Sequence, residues 1–239
     1  MFLHKNALAQ KRSEYRPLGW KNFGECSIRL RRGSQNLGSF LLTPNTKIIY
    51  AESPTNPGVQ ILDLEMLGQI AKKHNLLLVI DNCFATPYIQ QPIKFGADLV
   101  IHSATKLIDG QGRVLGGAVV GRKELIREVY LFARNTGPSI SPFNAWILSK
   151  SLETLAVRIE RHCETAMKIA TDLENHPKVN CLKYPFLKSH PKCALAKKQM
   201  KLGGNIIAFE IEGGLDAGRN FLNSIKCVLL PQTSAIVEL

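Results

Sequence analysis

Short apolar runs alternate with a helical pattern in the middle of this 239-residue chain. Residues 47–52, 76–81 and 98–103 are nearly continuous apolar runs with the length of buried strands. Between the first two runs, residues 63–74 carry apolar side chains at helical spacing, and Asp63 is placed as an N-cap. Buried strands that alternate with helices are typical of a mostly parallel sheet with helices on both faces. The pattern therefore predicts an α/β fold.

A second pattern follows toward the C-terminus. A long helix is expected to begin at Ser141, with Pro142 at its first position, and to run with a break toward Leu173. Residues 184–192 are rich in proline and lysine and are interpreted as a loop, whereas residues 205–211 alternate as a strand does. These elements predict the start of a smaller α+β C-terminal domain.

The first 42 residues differ from the rest of the chain. They hold half of the formal net charge of +12 and show no sustained period of two or 3.6 residues. A basic chain invites a nucleic-acid interpretation, but no helix-turn-helix, zinc-finger or aromatic RNA-binding motif accompanies this charge. We interpret residues 1–42 as an unassigned basic extension that is disordered or foreign to the fold, and we expect no nucleic-acid partner. An organelle transit peptide is the alternative.

Hydropathy and cysteine spacing argue against several other classes. No run approaches the ~18 apolar residues of a membrane span, and the N-terminus lacks the layout of a signal peptide. The six cysteines are scattered, without the paired spacing of zinc sites. We therefore expect a cytoplasmic protein with reduced thiols, no membrane contact and no metal.

Polar side chains follow three of the predicted strands at their carboxyl ends: Asn56, Asp81 and Lys106. Ligands of parallel sheets bind beyond the carboxyl ends of the strands, so we expect these residues to share one site. A lysine in this place can form a Schiff base, and a carboxylate can hold the ring nitrogen of a pyridine. Ser103 and Thr105 add hydroxyls suited to a phosphate group. Together they are the groups that a pyridoxal 5'-phosphate enzyme requires.

Several of these residues also have plainer interpretations. Asp81 and its neighbour Asn82 are compatible with an ordinary turn after a strand, and Asn56 is compatible with a purely conformational role in its own turn. His102 fits a packed strand histidine, and Cys83 fits a small, partly buried side chain. The glycine-rich loop after Lys106 does not have the spacing of a dinucleotide or P-loop site, which disfavours a nucleotide.

Three motifs in order resemble one family. Residues 51–57 read Ala-Glu-Ser-Pro-Thr-Asn-Pro, residues 81–87 read Asp-Asn-Cys-Phe-Ala-Thr-Pro, and residues 102–106 read His-Ser-Ala-Thr-Lys. They look like the Cys/Met-metabolism family of pyridoxal phosphate enzymes, the trans-sulfuration enzymes. The resemblance runs from about residue 43 to about residue 226.

The resemblance implies a fold, domains and roles. The fold is the PLP-dependent transferase fold of the aspartate-aminotransferase type, with residues 43–163 as the C-terminal part of the cofactor-binding domain and residues 164–239 as a partial C-terminal domain. The implied catalytic residue is Lys106, which is the Schiff-base lysine and the proton shuttle. The implied cofactor-binding residues are Lys106, Asp81 at the pyridine nitrogen, Ser103 and Thr105 at the phosphate, and Asn56 near the 3-hydroxyl.

One residue of the second motif departs from the family. Cys83 replaces the threonine that is usual at this position. Any cofactor contact from this position is therefore left open.

Residues 106–117 and 134–146 are most similar to O-succinylhomoserine sulfhydrylases within that family. This similarity implies γ-replacement on an O-acylhomoserine, in which O-succinylhomoserine and sulfide give homocysteine. Cystathionine γ-synthase, γ-lyase or methionine γ-lyase activity is the alternative within the family. An inactive fragment that binds only cofactor or an intact homologue is the alternative of another class, and a basic nucleic-acid-binding protein is the third.

Both ends depart from the family pattern. The aromatic, arginine and phosphate-loop groups that the family carries before the position of Thr43 do not occur in residues 1–42, and an expected substrate-carboxylate arginine does not occur after Lys226. The notable expectation is a chain truncated at both ends, an internal piece of a gene bounded by frameshifts or a mis-assigned start and stop. The resemblance implies a small amino-acid substrate. It also implies a homo-oligomer, and the truncation leaves open whether this chain forms one.

Overall fold

A computed structural model of the chain describes residues 27–29 and 42–225. Its main sheet has five strands in the spatial order in which they follow along the chain. The first four strands are parallel, and the fifth is antiparallel to the fourth, so the expected mostly parallel sheet is confirmed. The strands are β1 (Ser27–Arg29), β2 (Ile48–Glu52), β3 (Leu77–Asp81), β4 (Leu99–Ser103) and β5 (Gly117–Gly121).

Helices connect and follow these strands, and a separate two-stranded antiparallel sheet lies in the second part of the chain. The two strands of that sheet are β6 (Val179–Lys183) and β7 (Ala208–Ile211). A 3-10 helix spans Pro92–Phe95, and a π-helical turn spans Ala104–Ile108. The α-helices are α1 (Leu64–Lys73), α2 (Thr86–Ile89), α3 (Lys123–Thr136), α4 (Pro142–Glu153), α5 (Leu155–Glu174), α6 (Cys193–Gln199) and α7 (Gly214–Ser224).

Helix α1 begins where its sequence signal places it. The Asp63 side chain accepts a hydrogen bond from the backbone N–H of Met66 at 2.9 Å, which satisfies one of the free N–H groups of the first turn. Leu64, Leu67 and Ala71 are buried because their spacing puts them on one side of the helix. That side covers one face of the main sheet.

The expected long helix with a break is also confirmed. Ser141 caps α4 by accepting from the N–H of Asn144 at 3.1 Å, and Pro142 occupies the first turn. The break falls at Thr154, after which α5 continues to Glu174. The strand expected over residues 205–211 is shorter, since only its second half pairs with β6.

Strand β5 was not predicted from the sequence, and it begins at the last glycine of the loop that follows Lys106. Gly117 opens a strand whose register pairs it with Ser103 of β4. At the other end of β5, a Cβ at Gly121 would lie 2.2 Å from the backbone oxygen of Asp98. A glycine is therefore required for the two strands to approach closely, and this short Gly-Ala-Val-Val-Gly segment lacks the length and alternation that identify a strand.

Strand β5 is an edge strand of the sheet that the structure describes. Apolar side chains of β5 and of the helix after it are exposed. Val120 is half exposed, and Tyr130 and Phe132 of the following helix α3 are more exposed still. No residue of α3 is buried. Among residues 42–225, no helix is long and apolar enough to cross a membrane.

Candidate active site

The ends of β2, β3 and β4 lie side by side at one edge of the sheet. Glu52 of β2 pairs in register with Asp81 of β3, and Asp81 pairs with Ile101 of β4. Side chains two residues apart on a strand share a face, so Tyr50, Asp81 and Ser103 point to the same face. The opposite face of these strands holds the buried apolar side chains beneath α1.

Asp81 is half-buried and accepts hydrogen bonds from Tyr50 and Cys83. The Tyr50 hydroxyl donates to Oδ2 at 3.5 Å, and the Cys83 backbone N–H donates to Oδ1 at 3.2 Å. The Ser103 backbone N–H in turn donates to the sulfur of Cys83 at 2.8 Å. Cys83 therefore links the end of β3, which carries Asp81, to the end of β4, which carries Ser103.

The groups around Asp81 stay protonated at neutral pH. Burial raises the pKa of the Cys83 thiol to about 12, and the charge of Asp81 and a hydrogen bond to it act in the same direction. Burial and the charge of Asp81 also raise the pKa of Tyr50 well above its usual value. Both side chains are therefore neutral hydrogen-bond donors, and Asp81 is the negative charge among these three side chains.

Lys106 follows β4 in the π-helical turn. Its backbone has φ −84° and ψ −113°, which is not helical, so the turn changes direction at this residue. Its side chain is exposed, while Ala104 beside it is buried against the fold. The structure thus anchors the backbone on each side of Lys106 and leaves its amine accessible.

The loop after Lys106 is held by an ion pair whose carboxylate is buried. Asp109 is fully buried and accepts hydrogen bonds from Arg113, at 2.7 Å from the backbone N–H and 3.0 Å from Nε. Burial alone would raise the pKa of Asp109, but the hydrogen bonds and charge of Arg113 outweigh burial and lower it. Arg113 also donates to the Ser151 hydroxyl of α4 at 2.7 Å, which ties the loop to that helix.

The remaining two expected cofactor residues lie in different settings. The Thr105 hydroxyl accepts from the Gly116 N–H at 3.0 Å and contacts the Gly116 oxygen at 3.2 Å, so it joins the π-helical turn to the start of β5. Asn56 is half-buried in the turn after β2. Within residues 42–225, the structure forms no hydrogen bond between Asn56 and Asp81, Ser103 or Lys106.

This set of side chains fits a phosphorylated pyridine aldehyde. Asp81 supplies a carboxylate acceptor for a ring N–H, Lys106 supplies an accessible primary amine, and Ser103 supplies a hydroxyl on the same face of the sheet as Asp81. Thr105 would have to exchange its contact with the Gly116 oxygen to donate to a phosphate. Among the described residues, no cluster of three His, Cys, Asp or Glu side chains could hold a metal ion.

Two residues of this site were not assigned a role from the sequence. Tyr50 carried a usable signal, because it lies two residues before the end of a strand adjacent to that of Asp81. Cys83 was expected to be small and partly buried, and it is half-buried, but its link to Ser103 depends on strand register and has no sequence signal. His102 is buried as expected for a packed strand histidine, and burial lowers its pKa.

Solved structures with a similar fold define the class of fold. The crystal structure of metB from Corynebacterium glutamicum is similar to this chain with a TM-score of 0.78 and 43% identity, over 80% of this chain and 50% of that one. Cystathionine gamma synthase from Xanthomonas oryzae pv. oryzae, in complex with aminoacrylate and cysteine, is similar with a TM-score of 0.76 and 41% identity, over 78% of this chain and 48% of that one. The fold is the PLP-dependent transferase fold of the aspartate-aminotransferase type.

Comparison with protein families matches residues 34–235 to the Cys/Met metabolism PLP-dependent enzymes. The match covers most of the chain, which therefore belongs to this family. The O-succinylhomoserine sulfhydrylase of Pseudomonas aeruginosa is 47% identical over 77% of this chain and 46% of its own length. The L-methionine gamma-lyase of Treponema denticola is 46% identical over 77% and 47%. The chain thus spans about half the length of these relatives.

Proposed function

We propose that this chain carries the catalytic centre of a γ-replacement enzyme that uses pyridoxal 5'-phosphate to convert O-succinylhomoserine and sulfide into homocysteine. The observation that carries the proposal is the placement of Asp81, Ser103 and Lys106 at adjacent ends of β3 and β4. The sulfhydrylase relative supports the choice of reaction, as does the sequence of residues 106–117.

Each residue has a distinct part in this proposal. When bound, the cofactor supplies an electron sink for carbanion chemistry at the substrate amino acid. Lys106 would hold the cofactor through Nζ and, once free, would carry protons at that atom between substrate carbons, a role that requires a neutral amine. Asp81 would keep a proton on the ring nitrogen, because a carboxylate stabilises a neighbouring cation.

The other assigned residues orient the cofactor in the same proposal. Ser103 and Thr105 would hold the phosphate group, and Asn56 would bind near the 3-hydroxyl. Tyr50 and Cys83 keep the Asp81 carboxylate in place, since both are neutral donors beside it.

Elimination is the second candidate reaction, and the methionine gamma-lyase relatives favour it at similar identity. Both reactions begin with the loss of the γ-substituent. In replacement, sulfide then adds to the remaining carbon skeleton, whereas in elimination water reacts with it instead. Binding of cofactor or of an intact homologue without turnover is the candidate outside catalysis, since the chain spans about half of its relatives.

Product analysis separates these candidates. The purified chain is supplied with pyridoxal 5'-phosphate, O-succinylhomoserine and sulfide, and we expect homocysteine that Lys106→Ala abolishes. The matched control Lys72→Ala removes an exposed lysine of α1 and should leave the rate unchanged. Release of 2-oxobutanoate without sulfide would instead support elimination. Cofactor binding with no product would support the non-catalytic candidate and contradict the proposed reaction.

A further inference from the structure

Three side-chain amides are buried between the site and the second part of the chain. Asn82, Gln90 and Gln199 are all at least nine-tenths buried, and together they form what we call the amide network. Buried amides are costly unless their donors and acceptors are paired, so three in contact require a structural or functional reason.

The first half of the amide network lies directly behind the candidate site. Gln90 Nε2 donates to the Ser53 backbone oxygen at 2.8 Å and to Asn82 Oδ1 at 2.9 Å. Asn82 Nδ2 donates to the backbone oxygens of Thr86 at 3.1 Å and Gln90 at 2.9 Å. Ser53 follows the end of β2 and Asn82 follows Asp81 at the end of β3. These bonds therefore fix the two strand ends relative to each other.

The second half reaches an element more than one hundred residues away along the chain. Gln199, the last residue of α6, donates from Nε2 to Gln90 Oε1 at 3.3 Å and to the Leu62 backbone oxygen at 2.8 Å. Its Oε1 accepts from the Leu64 N–H at 3.4 Å. Each donor nitrogen of the amide network thus has two acceptors, so the network is a connected set rather than three separate contacts.

We propose that Gln199 is a positioning residue which, through Gln90 and Asn82, holds the turn that presents Asp81 to the cofactor. This inference deepens the proposed function and rests on it, because Asp81 matters only if the cofactor binds there. The physical reason is that a hydrogen bond is directional, whereas the filling of space is not. An apolar side chain at position 199 could fill the same space, but it would leave Gln90 Oε1 without its donor and let the turn move.

Cys83 is a built-in reporter for this turn, because it follows Asn82 and contacts both Asp81 and Ser103. The rate at which iodoacetamide alkylates Cys83 is measured by peptide mass spectrometry in the apo chain. The variants are Gln90→Met, Gln199→Met and the double variant, which keep side-chain length and remove the amide. Gln91→Met is the matched control, since Gln91 is the exposed neighbour of Gln90.

We expect each single variant to speed Cys83 alkylation by about 10-fold, because an unpaired buried amide makes local opening easier. The double variant should be no faster than Gln90→Met alone, since Gln90→Met already removes the bond through which Gln199 acts. Gln91→Met should leave the rate unchanged. An unchanged rate in Gln199→Met, or effects of the single variants that multiply, would overturn the inference.

A second measurement needs no variant, so it tests the amide network even if the methionine variants do not fold. Side-chain amide protons of Asn82, Gln90 and Gln199 should exchange with solvent far more slowly than those of Gln91 in the unmutated chain. Equal exchange at Gln90 and Gln91 would contradict the amide network. Neither readout uses the cofactor, so a chain that fails to bind it would refute the proposed function without deciding the result for Gln199.

Discussion

The two faces of the main sheet are built from the same strands but differ in what covers them. On one face, Ile49, Leu78 and Ile80 are fully buried beneath α1. On the other, Tyr50 and Asp81 are only half-buried and are joined by polar contacts. Alternation along each strand separates the two sets, because successive side chains point to opposite faces.

The two faces therefore have different roles: the covered face stabilises the fold, and the polar face forms the candidate site. The covered face removes apolar surface from water, which is the main favourable term in folding. The polar face keeps a carboxylate, a phenol and a thiol close together at partial exposure, which contributes little to stability and leaves the groups accessible to a ligand. Substitutions on the two faces should therefore affect different measurements.

Adjacent leucines of β3 give the largest expected contrast. Leu78→Ala removes a fully buried side chain, so we expect the free energy of unfolding to fall by about 2–5 kcal/mol. Leu77→Ala, on the other face and half-buried, should cost clearly less. Urea unfolding followed by circular dichroism measures both. Equal losses would show that the two faces contribute alike.

Replacing the carboxylate should produce the reverse pattern. Asp81→Asn keeps the shape of the side chain and removes its charge, so the free energy of unfolding should change by less than about 1 kcal/mol. Affinity for pyridoxal 5'-phosphate should fall about 10-fold or more, since a charge-assisted hydrogen bond is lost. Fluorescence titration measures the affinity, and the control is Asp172→Asn, which changes an exposed carboxylate of α5. Unchanged affinity in Asp81→Asn would remove Asp81 from the site.

The raised pKa of Cys83 has a consequence for alkaline stability. The thiol has an ordinary pKa of 9.0 and a folded-state pKa of about 12, so the folded chain holds this proton more tightly than the unfolded chain does. The stabilising effect is fully present below about pH 9 and is lost as the pH rises toward 12. Urea midpoints between pH 8 and 10 should fall less steeply in Cys83→Ser, which lacks the thiol. Parallel curves for the two proteins would contradict the assignment.

The Tyr50 hydroxyl should have the smallest effect. Its hydrogen bond to Asp81 is 3.5 Å long, at the limit of a useful contact. We therefore expect Tyr50→Phe to change the free energy of unfolding by less than about 1 kcal/mol, with a modest loss of cofactor affinity. A loss as large as that of Leu78→Ala would mean that the polar face also supports the fold. The same urea and fluorescence measurements decide this.

Local signals were enough for the elements whose ends are marked in the sequence. Asp63 and Ser141 identify the starts of α1 and α4 because a capping side chain acts within three residues. Strand β5 was missed because its fold depends on the close approach that Gly121 allows to Asp98, a contact between separate segments. The local sequence pattern carries no information about contacts between separate segments.

The same distinction applies to the site. Asp81 and Lys106 were found because strand ends are visible in the sequence and their side chains have a known chemistry. The role of Thr105 as a tie to Gly116, and the pairing of Gln90 with Gln199, could not be found in this way. Both depend on register and on the packing of distant segments.

The identity of the lysine that binds the cofactor covalently tests most directly whether the polar face is a catalytic centre. The chain is incubated with pyridoxal 5'-phosphate, reduced with borohydride to fix the cofactor to the amine that holds it, and mapped by mass spectrometry. We expect about one label per chain, on Lys106, and loss of that label when Asp81 is replaced by alanine. Labels spread over the exposed lysines, unchanged in Lys106→Ala, would contradict the account.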